Sequence, residues 1–375
     1  MMRYHYMDAL RASLLIAGVF FHAGMVYRPD LAWRFRDPSD LVFFSWLTDL
    51  LHSFRMPAFF VMAGFFCALT FHCNGGVRKL RARLITFCVP FVVMVFTVQP
   101  WQYAMELGFH DAFRGFGATF WTNYFRDGEY ISHLWFLLNL VVYYIGAWLL
   151  LVAAPARNYL SSPWLAAAFR SKTVLSALAC LAYLPFMLAL RGTAIGTEYE
   201  LELIFRYAPF FAAGFVMYRS AQLLEQFERI TLADLFYMLL VLLLVLKEPA
   251  GPVGRLVDIL WFYQCGFVLT ALCIMLFHKF VNRENRLTRL ISEAGYTIYL
   301  LHHFLVVLIA TLVAGWLPKD AALLKYTIVV SLVLALTVAA HQLLIARYPL
   351  LRFLFNGKWR NAGARPDAAL ARSAA

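Results

Sequence analysis

At 375 residues, 62% hydrophobic and only 14% charged, with a mean hydropathy of +0.68, the chain is much more apolar than a soluble globular protein. Such a protein sits near 45–50% apolar and about 25% charged, so a soluble enzyme is excluded and a polytopic membrane protein is indicated. The net charge of +12 does not point to nucleic acid, because the 33 Lys and Arg residues are scattered between apolar spans, where they suit loops retained on the cytoplasmic side.

Apolar spans of roughly the twenty residues needed to cross a bilayer are read near 9–27, 43–71, 85–104, 133–153, 173–190, 203–219, 232–247, 256–278, 291–314 and 322–345. The expected fold class is therefore all-α, with about ten transmembrane helices. Placing the N-terminus inside satisfies the positive-inside rule and leaves both termini cytoplasmic. A membrane domain over 1–350 is expected to be followed by a cytoplasmic tail over 351–375, which is Ala-, Arg- and Pro-rich at its end and expected to be disordered. The first apolar run holds Asp8 and Arg11 and has no small-residue cleavage site after it, so it is expected to be a retained span and not a cleavable signal peptide. Cysteines 67, 73, 88, 180, 265 and 273 show no CxxC spacing and read as inert core residues, and no metal site is expected.

The first span carries three ionisable groups. At about 3.6 residues per turn, Asp8, Arg11, Gly18 and His22 share one stripe of a helix. Arg11 and His22 are then roughly 16 Å apart along the axis, with Gly18 leaving a groove between them. Ionisable groups at membrane depth are costly and mark a pathway or a site, although Asp8 and Arg11 at i,i+3 also suit a simple ion pair. In the second span Asp49, His52 and Arg55 share a face at the depth of His22, and Pro57 marks a kink. An Asp49–Arg55 structural pair is the competing reading of that face.

The first cytoplasmic loop offers Arg78, Lys79, Arg81 and Arg83. Such a cluster suits phosphates, as well as being what any cytoplasmic loop collects. The stretch near 105–132 is aromatic-rich and suits the outer membrane interface. His133 and Trp135 open the fourth span. Glu202 and Arg206 at i,i+4 read as an ion pair at a helix start. In the ninth span Tyr296, Tyr299 and His303 fall on one face, with His302 beside it.

Taken together, these motifs resemble the membrane-bound acyltransferase family 3. They are Arg11 and His22 with ten residues between them, Arg-x-x-Arg at 78–81, His-x-Trp-Phe-Leu at 133–137 and Tyr-x-Leu-His at 299–302. His52-Ser-Phe-Arg-Met56, Ile131 to Leu138, the double His302-His303 and Pro349 to Lys358 are similar to the branch that succinylates osmoregulated periplasmic glucans.

The resemblance implies an inner-membrane enzyme with succinyl-CoA as acyl-donor substrate and no permanently bound cofactor. It also implies a periplasmic glucan acceptor, and other glucan biosynthesis proteins and the lipid bilayer as partners. Catalysis is expected from His22, supported by Arg11 and Asp8. Donor binding is expected from Arg78, Lys79, Arg81 and Arg83. An acceptor or acyl-group pocket is expected from Asp49, His52, Arg55, His133, Trp135, Tyr299, His302 and His303. With no Ser or Cys constellation for a nucleophile, direct attack of a sugar hydroxyl on the thioester is expected, with His22 as base, and an acyl-histidine intermediate is the alternative. Two other readings stand beside this one. One is an O-acetyltransferase acting on lipopolysaccharide or another surface glycan, and the other is an ion-coupled transporter.

Overall fold

A computed structural model describes residues 4–31, 33–72, 76–107, 117–152, 171–190, 201–247, 249–283 and 286–359, and every regular element among them is helical. In chain order the helices are α1 (His5–Val26), α2 (Val42–His72), α3 (Gly76–Thr97), α4 (Gln99–Glu106), α5 (Ala118–Arg126), α6 (Trp135–Val152), α7 (Lys172–Leu190), α8 (Leu201–Arg219), α9 (Ala221–Phe227), α10 (Leu232–Val245), α11 (Gly251–Phe280), α12 (Arg286–Ala314), α13 (Ala322–Ala340) and α14 (Pro349–Asn356). Among the described residues nine helices are long and apolar enough to cross a membrane. The span expected at 232–247 folds as the shorter α10, begun by a capping box in which Thr231 and Asp234 satisfy each other's backbone N–H groups.

α1 runs through the middle of the bundle and packs against α2, α11, α12 and α13. Its small residues allow this. A Cβ at Gly24 would crowd Thr48, and one at Gly295 of α12 would crowd Leu15. α2 and α8 approach most closely, because a side chain at Gly64 would collide with the Phe211 carbonyl and one at Gly214 with that of Val61. Backbone-to-backbone packing of this kind depends on small residues, since lipid removes the hydrophobic drive between helices. Pro57 lies inside α2 beside Gly266.

The loop between α1 and α2 is pinned at three places. Arg28 pairs with Asp30 and with Asp49 at 3.0 Å. Asp37 and Ser39 hold the fully buried Lys325 of α13 at 3.0 and 2.8 Å. Arg34 pairs with Glu106 of α4 at 2.6 Å and with Glu129. This loop therefore forms a fixed roof over one end of the bundle.

Two expectations need correction. The segment from 351 is not a loose tail: α14 packs on α3 and ends at Gly357, which takes a left-handed φ of +64° and lies where any Cβ would strike the Thr86 backbone. Pro349 starts this helix and Gly357 stops it, and Phe355 packs against the main apolar core. Residues 360–375 lie outside the described residues, as do 153–170, 191–200 and much of the aromatic stretch at 108–116. Glu202 does not pair with Arg206. It accepts from the Tyr183 hydroxyl, while Arg206 lies over the Phe262 ring at 4.3 Å.

Candidate functional site

Four imidazoles converge under the pinned loop. His22 comes from α1, His133 from a 3₁₀ turn at Ser132–Leu134, and His302 and His303 from adjacent positions of α12. The ring of His22 is 4.7 Å from that of His303 and 5.2 Å from that of His302. His133 stacks on His303 at 4.7 Å and meets His302 at 5.5 Å. Trp33 of the roof covers His303 at 5.1 Å and His22 at 5.7 Å.

The rings border a cavity of about 230 Å³ whose wall also includes Gly18, Arg34, His52, Arg55, Ser132, Trp135 and Tyr299. Among the described residues no group of three or more His, Cys, Asp or Glu is arranged to hold a metal ion.

Hydrogen bonds fix two of the rings. His302 Nδ1 lies 3.0 Å from the Ile298 carbonyl and 2.8 Å from that of Tyr299, and a carbonyl only accepts, so Nδ1 carries the proton. His303 Nδ1 lies 2.8 Å from Gln102 Oε1, whose amide nitrogen donates to Glu106 at 3.0 Å and to Ser132 at 3.4 Å. With the Gln102 amide set that way round, its oxygen accepts from His303. In both rings Nε2 is left as the basic nitrogen, the arrangement a general base needs. Nδ1 of His22, both nitrogens of His133 and Nε2 of His302 are buried with no protein partner. Buried polar atoms are almost always satisfied, so such a group of orphans marks a place built for a ligand.

His133 is held by strain. Ser132 has φ +41°, the one non-glycine residue with positive φ among the described residues, and such strain gathers at functional sites. Arg55 completes the chamber. It lies over the Phe21 ring at 4.5 Å, its Nε is buried without a partner, and no carboxylate lies within ion-pair distance of it among the described residues. The Asp49–Arg55 pair does not form, because Asp49 is exposed and pairs with Arg28 instead.

A second cavity, of about 890 Å³, adjoins the first. Leu15, Phe59, Phe136 and Tyr299 belong to both walls. Its other lining includes Arg11, Arg83, Tyr144, Ser292, Glu293, Arg352, Asn356 and Lys358. Helix α1 thus contributes Arg11 to one chamber, Leu15 to both, and Gly18 and His22 to the other. Arg11 pairs with Asp8 at 3.6 Å and donates to Ser292 at 3.2 Å.

Of the basic loop, Arg83 lines this cavity and donates to Thr70 at 3.1 Å, while Lys79 lines an adjoining hollow of about 650 Å³ and donates to the Thr70 carbonyl at 2.8 Å. Arg78 and Arg81 are exposed and lie on neither wall.

Several site residues were not singled out from sequence. Arg34, Gln102 and Glu106 are ordinary polar residues at span ends, and only the fold brings them to the histidines. Arg34 is held above its ordinary pKa: burial would lower it, but the charges of Glu106 and Glu129 more than offset that.

The comparisons with known proteins agree with this arrangement. The family model described as an acyltransferase domain, acyltransferase 3, matches residues 4–342. The chain belongs to this family. It is also similar to proteins called glucans biosynthesis protein C. Those of Salmonella gallinarum and Salmonella typhimurium are each 23% identical, over 95% of this chain and 95% of the relative, and that of Salmonella typhi matches to the same extent. No solved structure matches. The chain is thus a multi-pass membrane acyltransferase.

Proposed function

We propose that this protein transfers a succinyl group from cytoplasmic succinyl-CoA to hydroxyls of periplasmic glucans. The observation that supports it most is the pairing of two adjoining chambers, a cationic one at the end that carries the basic loop and an imidazole one at the other. An acyl-CoA has the matching form: phosphates at one end, a long thin arm, and a thioester at the tip. The relatives' name, glucans biosynthesis protein C, favours a glucan as acceptor, and the positive-inside rule favours a cytoplasmic placing of the basic end.

In this reading the phosphates rest among Arg83 and its neighbours. The arm passes Leu15, Phe59, Phe136 and Tyr299, and the thioester carbonyl reaches the histidines. The acceptor hydroxyl oxygen attacks that carbonyl carbon, and His22, central in the cluster, takes the hydroxyl proton. The C–S bond then breaks, the thiolate leaves with the proton returned by the imidazolium, and an ester remains on the sugar. His302 and His303, with Nδ1 fixed, flank the reaction as further acceptors of a hydrogen bond. Arg55 meets the terminal carboxylate of the succinyl group.

The test uses purified protein in nanodiscs with succinyl-CoA labelled in the succinyl group and glucan as acceptor. Label should move to glucan in an alkali-labile ester, with one free CoA thiol per ester formed. Absence of labelled glucan, with the protein folded and the acceptor shown to be unmodified beforehand, would overturn the reading. A transporter would move glucan or ions without adding charge to the sugar.

A further inference from the structure

The family match stops at residue 342, yet the cationic chamber does not. Ala346, Arg352, Asn356 and Lys358 all stand on its wall, and Phe353, Gly357, Lys358 and Trp359 continue into the adjoining hollow. The chain beyond the matched domain therefore supplies one side of the chamber.

Charge there is unbalanced. Arg11, Arg83, Arg352 and Lys358 face a lining whose only carboxylate among the described residues is Glu293, which is exposed, and Asp8 is engaged with Arg11. Arg352 is aimed by backbone carbonyls rather than neutralised by an acid. Its two Nη atoms donate to the carbonyls of Ala346 and Trp359, the latter at 3.4 Å. Nε of Arg352 and Oδ1 of Asn356 are buried without a partner. Lys358 is exposed and stands on the walls of both the chamber and the adjoining hollow, as Arg83 does. Like charges gathered on one wall repel one another, and an anion bound between them would relieve that repulsion.

The helix carrying them is fixed, since Gly357 locks onto the Thr86 backbone of α3, three residues from Arg83. Trp359 stacks on Phe353 at 4.2 Å and keeps an open face at the mouth, a surface suited to a nucleobase.

We infer that Arg352 and Lys358, with Arg83, form a phosphate-binding site that takes the nucleotide end of the acyl donor, so that α14 is part of the donor site rather than an appendage. This rests on the acyl-CoA reading above. The phosphate could otherwise come from a lipid headgroup, and the experiment separates the two.

Full-length protein is placed in phosphatidylcholine nanodiscs, and CoA binding is measured by calorimetry. A charge-assisted contact is worth about 1.5–3 kcal/mol, so Arg352→Ala and Lys358→Ala should each raise the Kd about ten- to hundredfold. Arg347→Ala, exposed and off the wall, should leave it unchanged. Lys358→Ala truncates an exposed side chain and tests the site even if Arg352→Ala folds poorly.

Both variants binding CoA within twofold of wild type would overturn the inference and leave the acyl-CoA reading standing. Wild-type protein that binds no CoA would remove that reading instead. If phosphatidylglycerol nanodiscs abolish CoA binding to wild type, and the variants lose affinity for that lipid alone, the site is a lipid site and the nucleotide assignment falls.

Discussion

The two chambers differ in how their polar groups are held. In the imidazole chamber the working atoms are sunk beneath a pinned roof, fixed by backbone carbonyls and by Gln102, and left without partners. In the basic chamber they are charged, half open, and carried on long side chains at the ends of α1, α3 and α14. Rigid neutral nitrogens suit bond making, where a misplacement of about 1 Å can cost a hundredfold in rate. Flexible cations suit a phosphate, which accepts contacts from many directions. Substitutions at one end should therefore change turnover and those at the other should change affinity.

The strongest way to break this comparison is at His22. Removing a general base costs about 10²- to 10⁴-fold, so His22→Ala should lose that much in kcat while the Kd for CoA stays within threefold. Single-turnover kinetics beside binding isotherms would check it. A large rise in Kd with turnover intact would mean that His22 belongs to binding and that the division between chambers is wrong.

Arg55 tests the boundary, being a cation placed among the histidines. An unpaired carboxylate in an apolar site costs several kcal/mol, and a bidentate guanidinium is its natural partner. Arg55→Gln should lower transfer from succinyl-CoA about ten- to hundredfold and leave acetyl-CoA nearly untouched. Equal loss with both donors would remove the donor-selecting role. The competing structural explanation is already weaker, because Asp49 is engaged with Arg28 rather than with Arg55.

How much of this was legible in the sequence follows from the same contrast. The α1 stripe could be read because helical periodicity is local: Arg11 lines one chamber, and Gly18 and His22 line the one that adjoins it. The double histidine and Tyr299 could be read from one helix for the same reason. What could not be read was the meeting of elements far apart in the chain. Gln102 reaches His303 across 201 positions, and nothing in a span-end glutamine announces that. The basic loop could be read only as a cluster. Its four cations look equivalent in sequence, but α3 turns Arg83 to the cavity and Arg78 and Arg81 away from it. The boundary at 350 misled because a short amphipathic helix is stable only once docked, and its docking partner α3 is some 260 residues earlier.

The smallest expected effect lies at Gly18, in the wall of the imidazole chamber. A Cβ there would stand 3.0 Å from Arg55 Nη1 and 3.8 Å from His302 Nε2. The first distance is tight, and the atom it meets is the end of a flexible side chain, so Arg55 can yield by a few tenths of an ångström. The second is an ordinary contact, so His302 need not move. Gly18→Ala should therefore leave the fold intact, and by shortening helix entropy loss it could only firm α1, where Ala is favoured over Gly by about 1 kcal/mol. Its catalytic effect should fall on Arg55 alone: a loss of a few fold with succinyl-CoA, and little with acetyl-CoA. Gly146→Ala on α6, where the added atom meets open space, is the matched control. Equal loss with both donors would show that the methyl blocks the path of the arm instead, moving Gly18 from the carboxylate pocket to the passage between chambers.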